Sequence, residues 1–243
     1  MKTRIHLNQQ VAIITGGGTG IGRAIALALV NAGANVVVCG RRGEPLEQTI
    51  TAMEMLPGQG LAIQADVARV DDVQRVVETT VQRFGTVHIL INNAGINGGD
   101  NIHEHDIEDW DRVMAVNLRG PFLFARNVLP LMRAQRNGHI INISSESGLE
   151  YYPGNGAYGV AKHGLNALGE FMQRENQTRN IRVNTICPGM VVTEMTENLS
   201  GLDQDKCLTS GDIADLVLWL LSRRTNIKIG RPVLIQTMEN PWT

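Results

Sequence analysis

Two side chains that can handle a proton, Tyr158 and Lys162, lie four residues apart in the segment YGVAK. In a helix this spacing places both on one face. Adding a hydride to a carbonyl carbon requires a proton on the oxygen, and the acid that gives it needs a pKa near neutrality rather than about 10. Tyr158 can supply that proton if nearby positive charge, such as that of Lys162, lowers its pKa. Ser145, thirteen residues earlier, can donate a hydrogen bond to the oxygen while negative charge develops on it.

Each of these residues also has an ordinary structural explanation. The YxxxK spacing is common in helices, and a serine just past a strand often caps the strand end. The segment NISSE around Ser145 is not the G-x-S-x-G elbow of hydrolases. The segment HEH at residues 103–105 lacks the HExxH spacing of zinc sites. We therefore expect a solvated loop there and no metal.

A glycine-rich turn, TGGGTGIG at residues 15–22, separates an apolar run at 11–15 from a helical pattern. At such a position the backbone N–H groups and the helix dipole favour an anion such as phosphate, and glycine lets the backbone approach it. The spacing differs from GxGxxG, and Arg23 follows where a P-loop would have lysine. A nucleotide triphosphatase is therefore disfavoured. The alternative is a tight turn whose glycines serve packing only.

Arg41 and Arg42 end the next strand-like run, about twenty residues after the turn. A fold that binds NAD usually offers Asp or Glu there to the ribose hydroxyls, and this chain has two guanidinium groups instead. These suit the additional 2′-phosphate of NADP. We therefore expect NADP(H) as the cofactor, whose oxidised nicotinamide would also lower the pKa of Tyr158. The alternative is a solvated arginine pair at a helix start.

The candidate residues fall at the ends of apolar runs that alternate with helical patterns. Strand-like runs occur at 11–15, 36–39, 61–65, 87–91, 140–143, 181–187 and 232–235, and helical patterns at 21–29, 44–56, 71–84, 106–134, 157–175 and 213–221. Strands that are apolar on both sides predict a parallel sheet covered on both faces. The expected fold is α/β: a single-domain, doubly wound, Rossmann-like parallel sheet flanked by helices on both faces. Ligands of such sheets bind at the carboxyl ends of the strands.

The composition limits the function further. The 243 residues are 43% hydrophobic and 19% charged, and no linker-like stretch divides them, so we expect one domain over residues 1–243. A net charge of −2 provides no broad positive field for nucleic acid, and no apolar run approaches the roughly 20 residues of a membrane span. The charged start at residues 1–4 is followed by polar residues rather than by a signal peptide. Three distant cysteines suit reduced thiols, so we expect a cytoplasmic protein.

The chain resembles the short-chain dehydrogenase/reductase family from about residue 11 to residue 221, in particular its 3-oxoacyl-[acyl-carrier-protein] reductase-like members. The motifs that carry the resemblance are the TGxxxGxG turn at 15–22, Asp66, NNAG at 92–95, Asn117, Ser145, YxxxK at 158–162, and Pro188 and Gly189 with Thr193. The resemblance implies an NADP(H)-dependent oxidoreductase that interconverts a ketone or aldehyde and an alcohol. An NAD-dependent alcohol dehydrogenase of the same fold, or a dinucleotide sensor without catalysis, are the alternatives.

The resemblance also implies the roles of a catalytic set. Tyr158 is the general acid and base, and Lys162 binds the nicotinamide ribose and lowers the pKa of Tyr158. Ser145 orients the carbonyl group of the substrate. Asn117 holds a water molecule that connects Lys162 to solvent.

Contacts with the cofactor follow from the same resemblance. Asp66 and Val67 contact adenine, Val191 and Thr193 hold the nicotinamide carboxamide, and Arg41 is typical of members that bind NADP. The remaining expected contacts come from the glycine turn, the ends of strands and the catalytic helix: Gly16, Gly18, Thr19, Gly20, Ile21, Gly22, Arg42, Asn93, Ala94, Gly95, Pro188, Gly189, Tyr158 and Lys162.

A short and polar segment at about 194–209 stands where relatives have a substrate lid. It gives little sign of an apolar substrate. A 3-oxoacyl thioester, a small ketone, a sugar or a cyclic ketone are all compatible with the catalytic set. The residues that flank the catalytic positions and could line the substrate pocket are Leu149, Tyr151, Tyr152, Met190 and Met195. The resemblance implies a homo-oligomer, either a tetramer or a dimer.

Overall fold

The computed structural model of the chain describes residues 6–197, 199–230 and 232–242. The predictions that concern the N-terminal residues 1–5, residue 198 of the expected lid, and residues 231 and 243 of the expected domain lie outside the described residues. Within the described ranges, no helix combines the length and the apolar character needed to cross a membrane.

The described chain contains one sheet of seven parallel strands, in the order β3, β2, β1, β4, β5, β6, β7. The strands are β1 Val11–Thr15, β2 Asn35–Gly40, β3 Gly60–Gln64, β4 Ile89–Asn92, β5 Gly138–Ile143, β6 Ile181–Pro188 and β7 Val233–Ile235. Each strand predicted from the sequence is present, with boundaries that differ from the prediction by at most two residues. The strand order reverses between β1 and β4, which places a crevice at the carboxyl ends of these two strands.

Helices cover both faces of the sheet. Those of the described residues are α1 Gly20–Asn31, α2 Gly43–Thr51, α3 Val70–Phe84, α4 Ile107–Met114, α5 Gly120–Gln135, α6 Gly156–Asn176 and α7 Ser210–Leu221. Short 3₁₀ turns occur at Glu146–Gly148, Gln177–Arg179 and Gln204–Lys206.

Successive residues of a strand point to opposite faces of the sheet, and here both faces are buried. Ile14 packs with α1 and α7 in one core, whereas its neighbour Ile13 packs with α3, α5 and α6 in the other. Ile91 and Leu90 divide between the two cores in the same way. The doubly wound α/β fold that the apolar strands predicted is therefore confirmed.

The single helix expected at 106–134 is instead two helices, α4 and α5, joined by a π turn at Ala115–Arg119. Asp106 caps α4, because its carboxylate accepts a hydrogen bond from the Asp109 N–H at 2.9 Å. Within the π turn, Asn117 forms two hydrogen bonds with the backbone of Ile96. The apolar periodicity continues through the turn, so it does not reveal the change in hydrogen-bond pattern.

Helix α2 ends at Thr51, five residues before the predicted end. The segment that follows turns back toward α1, where the Gly58 N–H donates to the Val30 carbonyl at 3.1 Å. A Cβ at Gly58 would lie 1.9 Å from the Ala34 carbonyl oxygen, so only glycine fits this approach. Helix α2 therefore ends where the chain turns to pack against α1, several residues before Pro57.

Candidate active site

A cleft of about 480 Å³ opens at the carboxyl ends of the central strands. Most of the predicted cofactor-binding residues line it: Gly16, Gly18, Thr19, Gly20, Ile21, Arg41, Arg42, Asp66, Val67, Asn93, Ala94, Gly95, Tyr158, Lys162 and Thr193. Gly22, Pro188, Gly189 and Val191, which were also predicted, lie outside its lining. The sheet thus gathers at one edge residues that come from distant parts of the chain.

The glycine-rich turn follows a backbone path that other residues rarely adopt. Gly16 and Gly20 have positive φ angles of 65° and 48°. A Cβ at Gly20 would lie 3.1 Å from the methyl carbon of Thr193, so the turn closely approaches the segment after β6. Gly22 packs closely on the same turn, because a Cβ there would lie 2.2 Å from the Gly16 carbonyl oxygen. The turn has the open backbone expected of an anion site at the start of α1.

Two arginines follow β2 at the edge of the cleft. The Arg42 guanidinium forms an ion pair with Glu194 at 2.9 Å and a hydrogen bond with the Thr19 hydroxyl at 3.5 Å. The Arg42 and Glu194 side chains are 64% and 52% exposed. The Arg41 carbonyl accepts a hydrogen bond from the Gln64 amide at 2.8 Å. Positive groups therefore lie beside the glycine turn, together with a carboxylate that the sequence did not suggest.

Asp66 and Asn93 hold the loops around the cleft. One oxygen of Asp66 accepts a hydrogen bond from the Ala68 N–H at 2.9 Å. The Asn93 side-chain amide donates to the carbonyls of Thr15 and Gly16, at 2.9 and 3.2 Å, and the Asn93 N–H donates to the Thr15 hydroxyl at 2.9 Å. Asn93 thus connects the end of β4 to the glycine turn and positions both.

Three buried polar side chains, which we call the polar row, cross the sheet at paired positions of β4, β5 and β6. Asn92 donates to the Asn142 side-chain oxygen at 2.9 Å, and Asn142 donates to the Thr185 hydroxyl at 3.4 Å. Helix α6 lies over the row at Gly169, where a Cβ would come within 2.5 Å of the Thr185 hydroxyl oxygen. The polar row and this glycine together set how α6 lies on the sheet.

Helix α6 brings Tyr158 and Lys162 to the cleft on one face, as the four-residue spacing predicts. The Lys162 ammonium lies 5.3 Å from the centre of the Tyr158 ring and donates a hydrogen bond to the Ile143 carbonyl at 2.9 Å. The Ser145 hydroxyl forms a hydrogen bond with Tyr158. It also accepts one from the Ser147 N–H at 3.1 Å. Ser145 is therefore both a backbone cap and a partner of the tyrosine.

Burial governs the acidity of both groups on α6. Burial raises the pKa of Tyr158 above its usual value, the hydrogen bond with Ser145 lowers it in part, and the nearby Cys187 and Glu146 raise it. Burial also lowers the pKa of Lys162 to about 8. The pKa of Tyr158 is therefore raised, whereas the Lys162 cation was expected to lower it. A lowered pKa would therefore require additional positive charge next to the phenol.

Asn117 is fully buried in the π turn. Its side-chain amide accepts a hydrogen bond from the Ile96 N–H at 3.0 Å and donates one to the Ile96 carbonyl at 2.9 Å. Gly95 lies close to both Asn117 and Lys162, because a Cβ there would be 2.9 Å from the Asn117 oxygen and 3.8 Å from the Lys162 ammonium. The structure thus brings Asn117 near the ammonium, with its amide engaged in holding the loop after β4.

Several residues that line the cleft were not predicted: Gly40, Pro45, Leu46, Ala65, Ile96, Asn97, Val116, Ile143, Ser144 and Glu194. The rule that ligands bind at strand ends points to some of them, such as Ala65 and Ser144. Pro45 and Leu46 belong to α2 instead. They reach the cleft because α2 packs on the glycine turn, where a Cβ at Gly18 would lie 3.0 Å from Pro45.

Among the residues expected to line a substrate pocket, Met195 lines the cleft. Tyr151 is 85% exposed and stacks on His163, with 4.8 Å between the ring centres. The Tyr152 hydroxyl instead forms a hydrogen bond with Glu146, the residue after Ser145. The two adjacent tyrosines therefore have different surroundings.

The HEH segment is less solvated than its composition suggested. The His103 side chain is exposed, but the side chain of His105 is buried, with Trp110 edge-on at 5.9 Å and Asp109 at 3.3 Å. His105 thus anchors the loop before α4. Across the part of the chain that the structure describes, no group of three or more His, Cys, Asp and Glu side chains is placed to hold a metal ion.

Comparison with known proteins gives matches over most of the chain. The family model for short chain dehydrogenase matches residues 10–203. A 3-oxoacyl-[acyl-carrier-protein] reductase of Synechocystis sp. is 38% identical over 196 residues, which cover 80% of this chain and 79% of that protein. A 3-oxoacyl-[acyl-carrier-protein] reductase of Thermotoga maritima is 34% identical over 238 residues, which cover 94% and 97%. A solved metagenomic short-chain oxidoreductase in complex with NADP has a TM-score of 0.84 at 30% identity, with 96% and 99% of the chains covered.

Proposed function

The chain belongs to the short-chain dehydrogenase/reductase family, and from this premise we propose that it is an NADP(H)-dependent oxidoreductase that interconverts a ketone or aldehyde carbonyl and an alcohol. The observation that carries the proposal is that Tyr158 and Lys162 line the cleft together, with the Ser145 hydroxyl hydrogen-bonded to Tyr158 from outside the lining. Two relatives that are named as reductases of 3-oxoacyl groups support the reaction class.

The residues around the cleft fit the parts of NADP(H). The glycine turn at the start of α1 would hold the pyrophosphate through its backbone N–H groups. Arg41 and Arg42 lie beside it and suit the 2′-phosphate. The relative solved in complex with NADP supports this choice. When bound, the nicotinamide supplies a hydride to the carbonyl carbon or accepts one from the alcohol.

The side chains of the protein handle the proton of this reaction. In the direction of reduction, Tyr158 gives its phenolic proton to the carbonyl oxygen, and Ser145 donates a hydrogen bond to the same oxygen. In the direction of oxidation, the tyrosinate takes the proton from the alcohol. Burial lowers the pKa of Lys162 to about 8, so its ammonium is positively charged at neutral pH. That charge favours the tyrosinate. Asn117 and Lys162 both lie close to Gly95, and a water molecule held by Asn117 would pass the proton from Lys162 on to solvent.

The same proposal includes a substrate lid at residues 194–209. The base of this segment is closed by two hydrogen bonds of 2.9 Å, from the Val192 N–H to the Leu208 carbonyl and from the Leu208 N–H to the Met190 carbonyl. Glu194 and Met195, at its start, line the cleft. The homo-oligomer and the cytoplasmic location stay predictions.

Replacement of the proposed acid tests the function. Tyr158→Phe should bind NADPH as tightly as the wild type and reduce a panel of ketones and aldehydes about 10²–10⁴-fold more slowly, because the phenolic proton is lost. NADPH binding is followed by fluorescence and turnover by the absorbance of NADPH. Tyr151→Phe, which alters an exposed phenol that stacks on His163, should behave like the wild type.

Two results would contradict the proposal. If the wild type binds NADPH but oxidises it with none of the panel, the protein is a dinucleotide sensor. If it binds NADH at least as tightly as NADPH, the choice of cofactor is wrong.

A further inference from the structure

Asn166 connects helix α6 to the turn that carries Ser145. It lies eight residues after Tyr158 on the same stripe of the helix. Its side-chain amide donates a hydrogen bond to the Gly148 carbonyl at 2.8 Å. Gly148 ends the 3₁₀ turn Glu146–Gly148, which directly follows Ser145, and we call residues 145–148 the serine turn. Asn166 therefore joins the helix of the proposed acid to the serine turn.

The serine turn packs directly on α6. A Cβ at Gly148 would lie 2.8 Å from the Asn166 amide nitrogen and 3.0 Å from the Lys162 carbonyl oxygen, so a side chain would push the turn away from the helix. The Ser144 hydroxyl, just before the turn, donates a hydrogen bond to the same Lys162 carbonyl at 3.3 Å. The absence of a side chain at Gly148 thus lets the Asn166 amide reach the backbone of the turn.

Hydrogen bonds within the serine turn connect Gly148 to the Ser145 hydroxyl. The Gly148 N–H donates to the Ser145 carbonyl at 2.9 Å, and the Ser147 N–H donates to the Ser145 hydroxyl at 3.1 Å. The same hydroxyl forms the hydrogen bond with Tyr158. A displacement of Gly148 would therefore move the hydroxyl relative to the phenol.

Cys187, a buried residue near the end of β6, holds the other side of the Asn166 amide. Its thiol donates a hydrogen bond to the Asn166 side-chain oxygen at 3.7 Å. The thiol also forms hydrogen bonds with the Ser144 side chain and the Ser145 backbone. The amide thus has a fixed orientation, with its oxygen toward Cys187 and its nitrogen toward Gly148.

We propose that Asn166 is a positioning residue, which holds the serine turn on α6 and thereby aligns the Ser145 hydroxyl with Tyr158 and with the substrate oxygen. This inference rests on the proposed function and deepens it. An amide suits the role because it donates one hydrogen bond and accepts another. A misplacement of about 1 Å at a reacting group can cost roughly 10²-fold in rate, so the loss of this contact should be visible in turnover.

Two replacements remove the contact in different ways. Asn166→Leu keeps the approximate size of the side chain but neither donates nor accepts a hydrogen bond, and Asn166→Ala adds no bulk. The serine turn keeps a second attachment, because the Asn155 amide donates to the Ser147 hydroxyl at 3.3 Å. Asn127→Leu is the matched control: Asn127 is half-buried on α5, and its amide donates to the Leu123 carbonyl of its own helix at 2.8 Å.

Turnover of ethyl 3-oxobutanoate with NADPH measures the role, and any member of the ketone and aldehyde panel that is reduced faster replaces this ester. Asn166→Leu and Asn166→Ala should lower kcat about tenfold and leave the Kd of NADPH within about twofold of the wild-type value. Ser145→Ala should lower kcat about 10²-fold. In the Ser145→Ala background, Asn166→Leu should lower kcat by less than about twofold, because the hydroxyl that Asn166 positions is already absent. Asn127→Leu should match the wild type.

The pH profile of the reverse reaction gives a readout that mere structural support would leave unchanged. The hydrogen bond with Ser145 lowers the pKa of Tyr158, and oxidation of an alcohol needs the tyrosinate. With ethyl 3-hydroxybutanoate and NADP⁺, Asn166→Leu should therefore move the acid limb of kcat to higher pH, by the same shift as Ser145→Ala. Asn127→Leu should leave the limb in place.

The outcomes separate this inference from the proposed function. If the Asn166 variants lower kcat equally with and without the Ser145 hydroxyl, or do not lower it, the positioning role is overturned and the reductase assignment stands. If the folded wild type binds NADPH and reduces neither the ester nor any member of the panel, both are overturned. Should Asn166→Leu fail to fold, Asn166→Ala carries the same test, because alanine is the residue that favours a helix most.

Discussion

Arg42 and Glu194 form an ion pair at 2.9 Å across the mouth of the cleft, although Arg42 follows β2 and Glu194 follows β6. The guanidinium that we propose for the 2′-phosphate therefore already has an anionic partner. Because both side chains are more than half exposed, such a pair contributes only about 0.2–1 kcal/mol. A phosphate group, with its greater charge and three acceptor oxygens, can displace the carboxylate.

Glu194→Gln should therefore tighten the binding of NADPH by up to about fivefold, because the competing carboxylate is gone. The affinity for NADH, which lacks the phosphate, should change little. Fluorescence titration of both cofactors measures the two effects. Glu197→Gln, three residues further along the same segment, is the control. An equal gain for NADH and NADPH would show that Glu194 does not compete with the phosphate.

Loss of both arginines should reverse the cofactor preference. In the double variant Arg41→Ala and Arg42→Ala, the Kd of NADPH should rise at least about tenfold, since charge-assisted hydrogen bonds to phosphate contribute about 1.5–3 kcal/mol each. The Kd of NADH should stay within about twofold of the wild-type value. Arg23→Ala, an exposed arginine on α1, controls for the general loss of positive charge. NADPH binding that survives the double replacement is incompatible with the proposed phosphate site.

The lowered pKa of Lys162 predicts an alkaline limit for cofactor binding. Burial brings this pKa to about 8, so the ammonium that would bind the nicotinamide ribose loses its proton as the pH rises through that value. The Kd of NADPH, measured from about pH 6.5 to 9.5, should increase on the alkaline side. Lys162→Arg keeps its charge throughout this range, and its binding curve should be flat with pH. The same alkaline limb in Lys162→Arg would exclude Lys162 as its cause.

The same buried charge should lower the stability of the fold at neutral pH. The folded pKa of Lys162 lies below its ordinary value of 10.5. The unfolded chain therefore holds the proton more tightly, and stability decreases as the pH falls from about 10.5 to about 8. Lys162→Met should be more stable than the wild type by about 1–3 kcal/mol at pH 7 in urea unfolding. Lys228→Met, at a half-exposed lysine, should change the stability by less than about 0.5 kcal/mol.

Acid should destabilise the protein through His139. This histidine is buried and lies 2.8 Å from the Asn184 side-chain oxygen, and burial, together with Arg182, lowers its pKa to about 3. In the unfolded chain the pKa of this histidine is about 6.5, so it does not lower the free energy of unfolding above that pH. Below it, the free energy of unfolding declines by about 1.4 kcal/mol per pH unit. Burial also lowers the pKa of His88, so His88 adds to the loss of stability at low pH.

Urea unfolding between about pH 5 and pH 7.5 measures this decline. His139→Gln should show a smaller decline than the wild type, whereas His103→Gln, at an exposed histidine, should show the full one. A wild-type stability that is constant over this range would contradict the assignment of His139 as a neutral buried group.

The sequence predicted the sheet and the cleft because their signals are local. Strands such as β1 are apolar at every position and buried on both faces, and this pattern alone favours a parallel sheet with helices on both sides. The strand-end rule then located the glycine turn and Ser145 at the same edge. Tyr158 and Lys162 followed from helical spacing. Each of these features depends on residues that are near one another in the chain.

The features that the sequence did not predict depend on contacts between distant residues. The ion pair of Arg42 with Glu194 joins residues that are 152 positions apart, and only the strand order brings them together. The close packing of Gly22 on Gly16, at the start of α1, is another such contact. The raised pKa of Tyr158 reflects how deeply α6 is buried, which no spacing motif expresses.

The polar row fixes the position of α6 through contacts that the rim of the cleft does not share. If α6 shifted along the sheet by one residue, a side chain would replace Gly169 above Thr185 and collide with it. The polar row therefore prevents such a shift and keeps Tyr158 and Lys162 aligned with the cleft. The segment after β6, which forms the proposed lid, is joined instead to Leu208 and Arg42. Evolution or a designer can therefore exchange the rim of the pocket while the chemical machinery keeps its alignment.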